Sequence, residues 1–98
     1  MTYTVGDVDV EFDTDKAAAN EAKHRVTFEY GLRVFSDARH VRLDVSRLKD
    51  QEIRLKAIGM IEGRLFTLVY TMRAEVFRII SVRRSNRSEE RAYGNSSL

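Results

Sequence analysis

The sequence predicts a small α+β domain, in which a short strand and two helices precede an antiparallel run of strands. Three observations carry this. Apolar residues alternate strictly over residues 8–12, they recur at helical spacing over residues 28–35, and from residue 41 alternation returns in four stretches separated by turn-like breaks. Helices kept apart from a meander of strands mark α+β rather than α/β architecture. A chain of 98 residues, 43% of them hydrophobic, suits one domain with one modest core.

Each element has its own local reason. Val8, Val10 and Phe12 alternate with Asp9 and Glu11, a strand with one wet face. Asp13 or Thr14 can cap a first helix over residues 15–23, where three consecutive alanines favour helix. A turn at residues 24–26 separates it from a second helix. Thr27 can cap that one, and Phe28, Leu32 and Phe35 form its apolar stripe. Val41, Leu43 and Val45 read as the next strand, then Ile53, Leu55 and Ala57, with a hairpin turn over residues 59–63. The strand over residues 65–72 has Phe66, Leu68, Tyr70 and Met72 on its more apolar face. The strand over residues 76–83 is apolar on both faces in its middle, as a covered central strand should be. Strict alternation along it puts Arg83 with Phe77, Ile79 and Ser81, and Arg84 with Arg78, Ile80 and Val82. Ser88 can cap a short C-terminal helix over residues 88–93. Residues 1–93 read as the domain and 94–98 as a flexible tail.

Composition excludes several classes. The chain has no cysteine, hence no disulfide framework and no thiolate zinc site. Two distant histidines and no Asp-rich loop leave no metal-ligand cluster, and five scattered glycines make no phosphate-binding loop. We expect neither metal nor cofactor. The N-terminus lacks the basic start and apolar run of a signal peptide, and no stretch approaches the ~20 apolar residues of a membrane span. The expectation is a soluble cytoplasmic domain without membrane contact. Net charge is only +2, but beyond Met72 lie Arg73, Arg78, Arg83, Arg84, Arg87 and Arg91, opposed by Glu75, Glu89 and Glu90. Arginine is the side chain best suited to bidentate phosphate contact, whereas a charge run is as often a solvated face.

Three segments, in order, resemble the BrnT family of small toxins. The first is Phe12 and Asp13, then Lys16, Asn20, Lys23, His24, Val26, Thr27 and Phe28. The second is Glu52, Ile53 and Arg54 leading to Ala57, Ile58 and Gly59. The third is Gly63, Arg64 and Leu65, then Val69, Tyr70 and Thr71, then the apolar strand that ends Ser81-Val82-Arg83-Arg84. The resemblance spans residues 12–91. Two departures stand out: Arg25 where the family usually has glycine, and Tyr30 where an acidic residue would complete a capping box with Thr27. The resemblance implies a RelE-like fold and a toxin that inhibits growth by cutting RNA. It also implies a BrnA-like antitoxin with a ribbon-helix-helix part, through which alone the complex would touch operator DNA.

Metal-free RNA cleavage needs a base for the 2′-hydroxyl proton, an acid for the leaving oxygen and cations on the phosphate. His24 titrates in the right range, and its plain alternative is a helix C-terminal capping residue. Glu52, Arg54 and Lys56 lie two apart along one strand face and can supply a base and cations, or make an ordinary surface pair. Arg83 is the fourth catalytic candidate. Lys23, Lys56, Arg64 and Arg84 are candidate RNA contacts. Tyr70 reads as core, Tyr93 as a base-stacking residue or a passive one, and His40 as surface. Besides a toxin ribonuclease, the residues allow a non-catalytic RNA-binding module or a protein-interaction domain whose exposed strand edge another chain covers.

Overall fold

The computed structural model describes residues 2–5, 8–50 and 52–95. Two strands, β1 (Thr2–Val5) and β2 (Val8–Glu11), open the chain. Helices α1 (Thr14–His24) and α2 (Phe28–Gly31) follow, the latter running on as a 3-10 turn over Leu32–Ser36. Then come β3 (Val41–Asp44), β4 (Arg54–Ile61), β5 (Arg64–Arg73) and β6 (Val76–Arg84), and α3 (Arg87–Asn95) closes the described chain. The strands form one sheet in the order β1-β2-β6-β5-β4-β3. β3 to β6 are the antiparallel meander that the alternation predicts, and β2 joins it parallel to β6. The α+β class and the central place of β6 stand.

α1 begins where Asp13 Oδ1 accepts the backbone N–H groups of Asp15 (2.8 Å) and Lys16 (3.1 Å). It ends at Arg25, whose φ of 60° is the left-handed bend that closes many helices. The arginine thus takes the conformation a glycine would favour, and the turn keeps that shape. Thr27 caps α2 by accepting the Tyr30 N–H at 3.0 Å. α2 stops after one turn where Gly31 lies against the Val82 side chain. The tighter 3-10 winding then buries Val34 fully, a residue outside the expected stripe, while Leu32 and Phe35 pack at the core's margin.

The core lies between these helices and the apolar sheet face, with Val10, Phe12, Phe28, Val34, Leu68, Tyr70, Ile79 and Val82 at its centre. Tyr70 is fully buried and stacks on Phe77 at 4.9 Å, as its apolar row requires.

The structure also departs from the sequence reading near both ends of the chain and at one turn. β1 pairs with β2 as an N-terminal hairpin strand, where the reading had a single strand. β4 runs through Gly59 to Ile61, because a Cβ at Gly59 would stand 2.6 Å from the Val34 carbonyl oxygen: this glycine serves close packing, and the turn itself falls at Glu62 and Gly63. α3 is capped by Asn86 rather than Ser88: Asn86 Oδ1 accepts the Glu89 N–H at 2.9 Å while Glu89 Oε1 accepts the Asn86 N–H at 2.8 Å. α3 also reaches Asn95, past the expected end at Tyr93, so residues 94 and 95 are helical and 96–98 lie outside the described residues. Among the described residues no helix is long and apolar enough to cross a membrane.

Candidate functional site

Cross-strand register sorts the charged residues, because directly paired strand residues project to the same side of a sheet. Arg54 pairs with Thr71 and Thr71 with Arg78. Lys56 pairs with Val69 and Val69 with Ser81, then Ile58 with Thr67 and Thr67 with Arg83. Arg54, Lys56, Arg78 and Arg83 therefore share one face. Ala57, Leu68, Tyr70 and Val82 occupy the other, beneath the first helices.

Strict alternation along β6 would separate Arg78 from Arg83, and the structure overturns that. The register shifts between Val69 and Tyr70: Val69 pairs with Ser81 but Tyr70 with Ile79, so Ile80 is an extra residue. A β-bulge of this kind reverses the inside-outside parity beyond it. Phe77 and Ile79 then turn to the core, while Arg78 joins Arg83 on the polar face. Arg84, one residue beyond Arg83, lies on the helix side with its guanidinium 5.7 Å from the Phe66 ring centre. Only one of the paired terminal arginines reaches the polar face.

Arg83 and Lys56 meet at Glu89 of α3. Arg83 forks onto the carboxylate through two hydrogen bonds of 2.7 Å, and Lys56 Nζ reaches it at 3.0 Å. The Glu89 side chain is 0% exposed. Burial works to raise its pKa, but the Arg83 hydrogen bonds, the Asn86 N–H and Lys56 outweigh that and hold the carboxyl at about 2. Glu89 stays ionised at any physiological pH, so it orients the two cations and does not shuttle protons. Sequence reasoning missed it. The usable signal was the spacing Asn86-x-x-Glu89, a capping-box pattern that ties a carboxylate to the end of β6.

Glu52 lies two residues before β4, outside the strand that the alternation predicts for it, and meets the other end of the same face through Arg54 and Arg73. It accepts from Arg54 Nη2 and from Arg73 Nη2, both at 3.4 Å, and is about one-third exposed. An open groove of about 690 Å³ adjoins it, lined in part by Arg47, Ile53, Met72 and Arg73. Arg54 has a buried Nε without a hydrogen-bond partner among the described residues. Between Arg83 and Glu52 the face thus runs Arg83, Lys56, Arg54, Glu52, with acid at both ends.

The remaining candidates stand apart from that row. α1 runs alongside β6 and is fixed to it by Asn20, whose side chain donates to Val82 O at 2.8 Å and accepts from Val82 N at 3.1 Å. His24 lies one turn beyond Asn20 on the same helix side, toward the Arg83–Arg84 end of β6. It is half-buried, and among the described residues no hydrogen bond or ion pair joins it to Glu52, Arg54 or Arg83. Lys23 is exposed on the same helix. Arg64 pairs with Ile61, which faces the core, and so lies on the helix side with Arg84. Tyr93 donates its hydroxyl to Asp37 at 2.7 Å, which pins α3 to the rest of the fold. His40 is half-buried, with Nδ1 2.8 Å from the Asp37 carbonyl and its ring against Phe35.

The chain matches no curated protein sequence. The family model for BrnT, the ribonuclease toxin of type II toxin–antitoxin systems, matches residues 12–89. The match takes in α1, the whole meander and Glu89, and therefore every residue of the polar row from Glu52 to Arg83. On that extent the chain belongs to the BrnT family of type II toxin–antitoxin ribonuclease toxins.

Proposed function

We propose that this chain is an endoribonuclease that cuts RNA without a metal on the sheet face bearing Glu52, Arg54, Lys56 and Arg83. The observation that supports it most is the gathering of three cations and a partly exposed carboxylate on one side of the meander, inside the segment that matches the family. The 2′-oxygen of one nucleotide attacks its own 3′ phosphorus. Its proton passes to a base, the bond to the 5′-oxygen breaks, and that oxygen takes a proton as it leaves a cyclic phosphate behind. Glu52 is the proposed base, Lys56 and Arg83 hold the phosphate oxygens with Arg54 next along the face, and the leaving oxygen takes its proton from water. His24, on α1 and at the far end of the row from Glu52, meets RNA at the edge of β6. Arg64, Arg84 and Lys23 meet RNA only where it passes around that edge. The fold is RelE-like in this reading. RNA cleavage then stops translation and growth, and a BrnA-like ribbon-helix-helix antitoxin neutralises the toxin and supplies the contacts to operator DNA.

The test is to incubate purified chain with RNA in chelator, alongside Glu52→Gln, Arg54→Gln and Arg83→Gln. Cleavage by the parent chain that falls at least tenfold in each variant supports the site, whereas equal cleavage by all sinks it. One observation favours a second reading. The Arg83 fork is spent on Glu89, so the face as built binds a carboxylate. A non-catalytic RNA- or protein-binding module would show strongly salt-dependent RNA binding with no product.

A further inference from the structure

The row Arg54–Thr71–Arg78 is the part of the polar face whose polar atoms are least satisfied. Thr71 is only 1% exposed, yet among the described residues its hydroxyl has no hydrogen-bond partner, and its cross-strand neighbour Arg54 has a buried Nε in the same condition. A buried donor left unmet is destabilising, so two side by side in one row call for an acceptor. The third member, Arg78 on β6, is held by Glu11 of β2 at 3.2 Å, and Arg54 by Glu52 at 3.4 Å. Both contacts are long beside the 2.7 Å pairing of Arg83 with Glu89. Two loosely held guanidiniums thus flank a hydroxyl, and all three donors face one side.

We propose that Arg54, Thr71 and Arg78 form a second phosphate subsite, which holds a phosphodiester adjacent to the one that is cut. The inference rests on the ribonuclease reading above and adds to it a length requirement for the substrate. Strand residues advance ~3.3 Å each, so the Arg54 row stands ~7 Å from the Lys56 row along the sheet, on the scale of one nucleotide step. A phosphate oxygen there accepts from the Thr71 hydroxyl and Arg54 Nε at once, and its negative charge displaces Glu11 and Glu52 as the partner of the guanidiniums. Phosphate suits this row better than a carboxylate does, because donors approach from three strands and a tetrahedral anion offers oxygens in three directions.

The test compares two non-cleavable RNAs, a dinucleotide and a tetranucleotide, each carrying a 2′-deoxy sugar at the cutting position. Binding is measured to the parent chain, Thr71→Val, Arg78→Gln and Arg83→Gln, with thermal unfolding as a check on the fold. Valine keeps the threonine shape and removes only the hydroxyl. The parent chain is expected to gain at least fivefold in affinity from the longer RNA. Thr71→Val and Arg78→Gln lose most of that gain, and for Arg78→Gln the salt dependence shrinks by about 0.7 in log–log slope, one phosphate contact. Arg83→Gln weakens both RNAs. If Thr71→Val and Arg78→Gln keep the full gain while Arg83→Gln still weakens binding, the subsite is wrong and the cleavage face stands. If Arg83→Gln binds both RNAs as the parent does, the face itself is wrong and the subsite falls with it.

Discussion

Arg25 holds the left-handed bend that ends α1 without glycine's freedom to do so. A left-handed L-residue costs roughly 1–2 kcal/mol, of which glycine's extra unfolded-state entropy returns about half. Arg25→Gly is therefore expected to raise stability by about 0.5–1 kcal/mol in urea titration. Glu89 works in the opposite sense. Its folded pKa of about 2 lies below the ordinary value of 4.5, so its ionised form is stabilised by folding. That stability is fully present above the ordinary value and is lost as pH falls from there through the folded one. Unfolding midpoints measured between pH 6 and 2 should drop steeply below 4.5, and in Glu89→Gln that part of the drop should vanish. Removing the charge leaves Arg83 and Lys56 unpaired, and we expect a loss of about 3 kcal/mol at neutral pH. The sequence showed Arg83 and Lys56 as cations of interest. It could not show their common partner, because a carboxylate on a helix and two cations on separate strands become neighbours only through the sheet register.

At the level of elements, the Asn20 amide ties α1 to β6. Asn20 satisfies both the N–H and the C=O of Val82, where β2 has ended and β6 would otherwise present an open edge. Asn20→Ala strands both buried backbone groups, at a cost of roughly 2–4 kcal/mol in all. Amide exchange at Val82 should accelerate in that variant more than exchange in β4 or β5. Elements with a strong local signature were legible in the sequence: the capped α1, the alternating strands and the apolar face of β5. The failures have physical causes. Gly59 looks like a turn residue but is a packing contact with Val34, and one helical stripe became a 3-10 turn where Gly31 meets Val82. The bulge at Ile80 is the consequential case for function. Nothing local to residues 76–84 marks it, and it moves Arg78 from the expected face to the one that Arg83 occupies.

At the scale of the whole molecule, six of the basic residues divide between the two sides of the sheet. Arg54, Lys56, Arg78 and Arg83 lie on the polar sheet face, and Arg64 and Arg84 lie with the first helices. α3 crosses the polar face at Lys56 and is pinned at its far end by Tyr93 to Asp37. Charge counts alone treat all six cations alike, whereas the fold makes only one side a candidate for cleavage. The sharpest measurement is RNA cleavage by two double variants of equal charge change, Arg54→Gln/Arg83→Gln and Arg64→Gln/Arg84→Gln, with unfolding followed in parallel. The polar-face double variant should lose at least a hundredfold in rate, and the helix-side variant should stay within about threefold of the parent chain, where ~1.4 kcal/mol of barrier is tenfold in rate. The reverse ranking, or an equal loss in both, would contradict a catalytic face on that side of the sheet.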